Sequence, residues 1–162
     1  SNGEVVIQGP TTRQENNLVD EYSVNKQYPS TIDIKIYKTI FLAQMKKKNN
    51  HFFLGSNGKF IKVENMKHKV PYIFGEFKVQ NFFKLKKAID ESNFDYQKVK
   101  NLIFFQSGRW DIETNNGILI KLPKDKIKDS LQIFVDILSK DQQRLINQVD
   151  LRQRNQIIIN GQ

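Results

Sequence analysis

The chain has 162 residues, of which 38% are hydrophobic and 11% aromatic, with a net charge of +9 and no cysteine. That length allows one medium domain or two small ones with a real core, and the apolar content is too high for a disordered chain. Disulfides and thiolate chemistry are excluded, and no apolar run reaches the roughly 18 residues a membrane-spanning helix needs. No signal peptide is visible. Ser1-Asn2-Gly3 reads as an expression scar on an excised domain, so a membrane anchor is expected upstream.

The positive charge and a pI near 9.6 invite a nucleic-acid reading. The lysines are scattered, however, from Lys46–Lys48 through Lys84, Lys86, Lys87, Lys98 and Lys100 to Lys121, Lys124, Lys126 and Lys128. Phosphate binding needs charge gathered on one face, so a solvated basic surface is the better account. Attraction to anionic lipid headgroups is a secondary option.

Residues 1–17 show little periodicity beyond Val5-Val6-Ile7, a short strand ended by Gly9-Pro10. Tyr22, Val24 and Lys26 precede the turn signal Tyr28-Pro29-Ser30, after which Ile32, Ile34 and Ile36 alternate with polar neighbours. This predicts an antiparallel strand pair. Ile40 to Met45 reads as a strand leaving the core. His51–Leu54 and Phe60–Val63 form a hairpin around Gly55-Ser56-Asn57-Gly58. Val70–Gly75 reads as an aromatic connector tucked against the core.

Val79, Phe82, Leu85 and Ile89 fall at helical spacing across residues 78–91. Val99–Gln106 is a strand buried on both faces. Arg109–Ile112 and Ile118–Leu122 flank Asn116-Gly117, the strongest short-range hairpin signal, since both central residues of a type I′ turn take positive φ. Lys124–Lys140 is the clearest helix, with Ile127, Leu131, Phe134, Val135 and Leu138 as its stripe and Pro123 just ahead. The chain closes through Val149–Arg152 to a terminal strand ending at Ile157-Ile158-Ile159, with almost nothing after it to cover its outer edge. An open edge is an aggregation hazard or a docking surface, and the alternative is a strand paired on both sides. The expected fold class is α+β, mainly antiparallel sheet with two flanking helices, and a boundary near Thr39.

Little chemistry is visible. His51 and His68 stand alone without cysteine, short of the three or four ligands that zinc wants, so no metal is expected. No nucleophile elbow exists, and Gly55-x-x-Gly58 opens no helix and is no phosphate cradle. Asp111 and Glu113 share a strand face, where acids are usually solvated or paired with lysine. Trp110 reads as core rather than binding hot spot, and Phe104 and Phe105 likewise. No catalytic residue and no cofactor are expected.

Arg109-Trp110-Asp111-Ile112, Asn116-Gly117, Leu122-Pro123 and Val149-Asp150-Leu151-Arg152, in that order, resemble the C-terminal domain of the FtsQ/DivIB cell-division family. Val24–Pro29 with Ile32, Ile34 and Ile36 is similar to the last two strands of that family's POTRA domain. Phe53-Leu54 with Asn57-Gly58-Lys59, and Pro71 with Gly75, agree as well. The residues ahead of Tyr22 are too few for the two helices of a complete POTRA domain, so the resemblance implies a partial POTRA-like region over 1–38 and an FtsQ-type β domain over 39–162. It further implies a single-pass inner-membrane protein with this region in the periplasm, acting at the septum as a scaffold rather than an enzyme. The implied partners are FtsB and FtsL, docked by strand addition along Arg152, Gln153, Asn155, Gln156, Ile157, Ile158 and Ile159, with Arg152 as a charged anchor. Gln153 stands where some relatives carry tyrosine. Val24 and Lys26 resemble a contact region for other divisome members. The alternative is a basic nucleic-acid-binding α+β domain, and a POTRA-type chaperone module is a third option that the Arg-Trp-Asp hairpin disfavours.

Overall fold

The computed structural model describes residues 3–7, 19–27, 31–140, 145–153 and 156–161. The Tyr28-Pro29-Ser30 turn, the polar run before Val19 and Asn155 therefore lie outside the described residues. The architecture is α+β, as expected, and divides into two compact units, Ser1–Lys69 and Val70–Gln162.

In the first unit, β1 (Gly3–Ile7), β2 (Val19–Gln27) and β3 (Thr31–Lys38) form a three-stranded sheet in the order β1-β3-β2. Both pairings are antiparallel, with Val24 opposite Ile34 and Lys26 opposite Ile32. The strand that carries the alternating isoleucines, β3, is thus the central one of this sheet. A different sheet follows, with β4 (Phe41–Lys47), β5 (Asn50–Gly55) and β6 (Phe60–Lys62) paired antiparallel in sequence. The change of sheet falls between β3 and β4, around Thr39, whereas the compact units divide after Lys69. Ala43, Phe53 and Leu54 are fully buried here. His51 and His68 stand at 4.9 and 5.5 Å from the Phe53 ring, and His68 also meets Phe41 edge-on at 4.9 Å. Both histidines thus belong to an aromatic cluster.

In the second unit, β7 (Tyr72–Phe74) is followed by α1 (Val79–Asp90), β8 (Val99–Phe104), β9 (Trp110–Thr114), β10 (Leu119–Lys121), α2 (Ile127–Lys140), β11 (Ile146–Gln153) and β12 (Gln156–Gly161). The strands lie in the order β12-β11-β10-β9-β8-β7. The register aligns Ile73, Leu102, Ile112, Ile120 and Val149 across five neighbouring strands, each 4% exposed or less. Phe82, Leu85 and Ile89 of α1 and Leu131 and Phe134 of α2 are buried with them. That continuous apolar layer is the core. Trp110 is buried as well, against Phe104 at 4.8 Å and Phe77 at 5.9 Å.

Several expectations need correction. The stretch read as a connector contains β7, which pairs parallel with β8, because an extended aromatic segment beside an unfilled edge satisfies its backbone by joining the sheet. Helix α2 starts at Ile127 rather than Lys124, after Lys126 at φ 58°. The type I′ turn is not at Asn116-Gly117. Lys48 and Asn49 make it, with φ of 46° and 62°, joining β4 to β5 as a hairpin the sequence reading passed over. At the other turn only Gly117 has positive φ, the Gly117 N–H donates to Thr114 O, and the Thr114 N–H donates to Ile118 O. This is the three-residue loop in which a type I turn is followed by a left-handed residue. The loops ending at Gly58 and Gly108 repeat the same bonds and sign of φ. Phe104 and Phe105 are half-buried edges of the core rather than its interior.

Gly75 and Gly117 share the left-handed sign, with φ of 98° and 85°, but only Gly75 is crowded: a Cβ there would fall 2.2 Å from the Phe104 carbonyl oxygen, and none would meet anything at Gly117. Gly117→Ala should cost about 1 kcal/mol of conformational strain. Gly75→Ala should cost about 3 kcal/mol or more, because backbone must move. Urea unfolding of the two variants checks the order, and equal losses would refute it.

Candidate functional site

The closing segment is a hairpin, not the single strand from Arg152 to Ile159 that the sequence suggested. Strand β11 pairs parallel with β10, placing Leu119 opposite Gln148 and Lys121 opposite Asp150. On its other flank it pairs antiparallel with β12, with Val149 opposite Ile159, Asp150 opposite Ile158 and Gln153 opposite Gln156. Parallel strands are buried on both faces, which is why Val149, Asp150 and Leu151 are consecutively buried. Arg152 and Gln153 therefore end an inner strand whose rim is covered by the chain's own backbone. Gln156, Ile157, Ile158 and Ile159 lie on β12, the last strand of the sheet, which among the described residues is paired on one side only.

Strand β12 is exposed along most of its length, with Ile157 at 46% and Ile158 at 39%. Ile159 continues the core layer through Val149. Ile157 points to the same side, where it shares a groove of about 720 Å³ with Leu151, Arg152 and Gln156 on the hairpin, Ile133 on α2 and Lys126 just ahead of that helix. Ile158 emerges on the opposite face.

That opposite face carries a row of charges the sequence reading missed. Asp111, Lys121 and Asp150 stand opposite one another on β9, β10 and β11, so a cation lies between two carboxylates. The signal was present: Asp111 and Lys121 are equally distant from Asn116, the turn centre. Arg152 grips Asp150 with its Nε at 2.9 and 3.0 Å and its Nη2 at 2.6 Å, while its own N–H donates to the same carboxylate at 3.1 Å. Arg109 reaches Asp111 through Nη1 and lies over the Phe105 ring at 4.3 Å. Glu113 pairs with Lys100 at 3.5 Å, as acids on a hairpin were expected to do, whereas Asp111 is buried and paired with arginine.

The two aspartates differ in character. The Arg152 hydrogen bonds hold the Asp150 carboxyl below the usual carboxylate range, and Asp150 in turn raises Arg152. Burial lifts the Asp111 carboxyl above that range, against the pull of Arg109, Lys121 and Arg152. Among the described residues no three His, Asp or Glu side chains gather to hold a metal ion. No described helix is long and apolar enough to cross a membrane. Val24 and Lys26 lie on β2, the terminal strand of the three-stranded sheet in the first unit.

A lowered carboxyl stabilises the fold above its unfolded value of about 3.9 and loses that contribution as pH falls toward the folded one. Asp150→Asn should therefore cost roughly 1 kcal/mol near neutrality, discounted because Arg152 is half exposed, and much less near pH 3. Thermal unfolding of both proteins across that range measures it, and a pH-independent cost would refute the assignment.

The model of the family described as cell division protein FtsQ/DivIB, C-terminal, matches residues 43–152. The cell division protein FtsQ of Rickettsia bellii is 29% identical over 150 residues, covering 89% of this chain and 55% of that protein. FtsQ of Rickettsia prowazekii is 27% identical over 149 residues, covering 87% and 54%. The chain spans about half the length of these relatives. Among solved structures, the major extracytoplasmic domain of the bacterial cell division protein DivIB from Geobacillus stearothermophilus aligns with a TM-score of 0.47 and 13% identity, over 66% of this chain and 98% of that one. With the family model covering more than half of its residues, the chain belongs to the FtsQ/DivIB family of cell division proteins.

Proposed function

We propose that this chain is the periplasmic part of a single-pass inner-membrane protein of the divisome, a non-enzymatic scaffold at the septum that docks FtsB and FtsL by strand addition along β12. The observation that carries this reading is the open edge of Gln156–Gly161, in a chain whose family is that of a cell-division protein. A partner strand laid against β12 extends the sheet by one. Each ladder hydrogen bond contributes roughly 0.5–1.5 kcal/mol net, and alternate side chains supply selectivity. Ile157 and Ile159 meet partner residues on the α2 side, and Ile158 meets them on the charged side. Gln153 and Gln156 stand opposite each other at the start of the edge. Arg152 is the charged anchor beside the edge, where a partner carboxylate shares or replaces the grip its guanidinium holds on Asp150.

The three-stranded sheet of β1, β3 and β2 is read as the partial POTRA region, with residues 39–162 as the family's β domain. Val24 and Lys26, on the terminal strand of that sheet, form a second contact for other divisome members, again at an edge.

Deleting Gln156–Gln162 from the chain should abolish binding of an FtsB-like peptide while leaving most of the fold. Because amides alternate in direction along a strand, Ile157→Pro and Ile158→Pro should separate the roles. One should destabilise the β11 pairing, and the other should cut peptide affinity by tenfold or more at nearly unchanged Tm. Isothermal titration in which peptide binding survives the deletion and both proline changes would sink the proposal.

A further inference from the structure

The sequence along the open edge is Gln156-Ile157-Ile158-Ile159-Asn160-Gly161, with no charge, no proline and three consecutive β-branched residues. Natural edge strands are normally blunted by lysine, proline, an inward charge or a covering loop. None of the first three occurs on this strand. Short uncharged segments of this composition are those most prone to pair with copies of themselves. From this we infer that β12 is also a self-recognition edge, pairing antiparallel with β12 of a second copy of this chain. It rests on the same open edge as the function proposed above, but not on a foreign partner.

Symmetry fixes the register. A twofold axis perpendicular to the sheet keeps each copy's α2 side on the same side of the joined sheet, so the contact is isologous. Ile157 and Ile159, which face α2, must then meet residues of the other copy that face α2. The centred solution puts Ile158 opposite Ile158, Ile157 opposite Ile159 and Gln156 opposite Asn160. Every apolar residue meets an apolar one, and the two amide side chains meet each other. The core layer that runs from Ile73 through Val149 to Ile159 then continues across the axis into the second molecule.

The contact is small, one strand against one strand, so the dimer is weak and concentration-dependent. Its consequence is competition. The same amides and carbonyls serve the second copy or a foreign strand, never both, so self-pairing shields the edge until a partner displaces it.

Sedimentation velocity of the 162-residue chain from low micromolar to near-millimolar concentration should show reversible monomer–dimer exchange. Ile158→Lys and Ile158→Glu each place like charges face to face at the axis, and each protein alone should be monomeric throughout. An equimolar mixture of the two should recover association, because unlike charges then meet. Unchanged thermal unfolding of both variants would show that the fold is intact, as the 39% exposure of Ile158 leads one to expect. A strictly monomeric parent chain overturns the inference, as does association that ignores the Ile158 changes, or a mixture that stays monomeric. Binding of an FtsB-like peptide by a parent chain that never dimerises refutes self-pairing alone. Dimerisation without peptide binding refutes the foreign-strand reading alone.

Discussion

The second unit depends on the double pairing of β11. Held parallel to β10 on one flank and antiparallel to β12 on the other, it buries Val149 and Leu151 on the helix side and Asp150 on the opposite side. A strand buried on both faces cannot slip by one residue without exchanging an apolar layer for a charged one. Here the penalty is doubled, since a slip would bring Asp150 into the layer of Ile120 and Val149. This constraint fixes where β12 lies, and hence which backbone groups remain for another chain.

The charged row reinforces the same register from the solvent side. Lys121 stands between Asp111 and Asp150 only in the observed alignment, and Arg109 and Arg152 close the ends. Buried ion pairs add little net stability, because desolvation offsets attraction. Their value is in specifying one arrangement among several of similar hydrophobic energy. The raised Asp111 and lowered Asp150 carboxyls express that division: burial dominates at the first and the arginine grip at the second.

How much of this was legible depended on the range of the interaction. Period-two alternation revealed β3, and the helical spacing of Phe82, Leu85 and Ile89 revealed α1, because each pattern follows the local repeat of its own element. Trp110 was also read correctly as core. The errors came where the deciding partner was distant or where turn chemistry admits two solutions. Tyr72–Phe74 joins β8 as a parallel strand, a distant pairing that no local pattern encodes. Asn116-Gly117 fits both a two-residue and a three-residue loop, and the pairing of Thr114 with Ile118 selects the longer one. Lys48-Asn49 lacks glycine, so its hairpin was hidden among lysines, although asparagine tolerates positive φ. In the closing segment, the alternation of Val149 and Leu151 and the run Ile157–Ile159 were visible, but not that the chain reverses between them.

That reversal changes what the arginine contributes. In a single edge strand Arg152 would project free toward an incoming partner. In the hairpin it already spends its Nε and Nη2 on Asp150. Among the described residues its Nη1 makes no hydrogen bond, so a foreign carboxylate either shares the guanidinium or takes it from Asp150. Sharing gathers two negative charges around one cation. Exchange strands a nearly buried aspartate beside Lys121. Neither route gains the full value of a new ion pair. Under the proposed docking, affinity at this edge would therefore come from the backbone ladder and the isoleucines, while Arg152 would govern which approaching chains are tolerated and how quickly they arrive. A strand with good hydrogen-bond geometry and an unsuitable charge near Arg152 would be rejected through the rearrangement it forces on Asp150, not through any contact it fails to make.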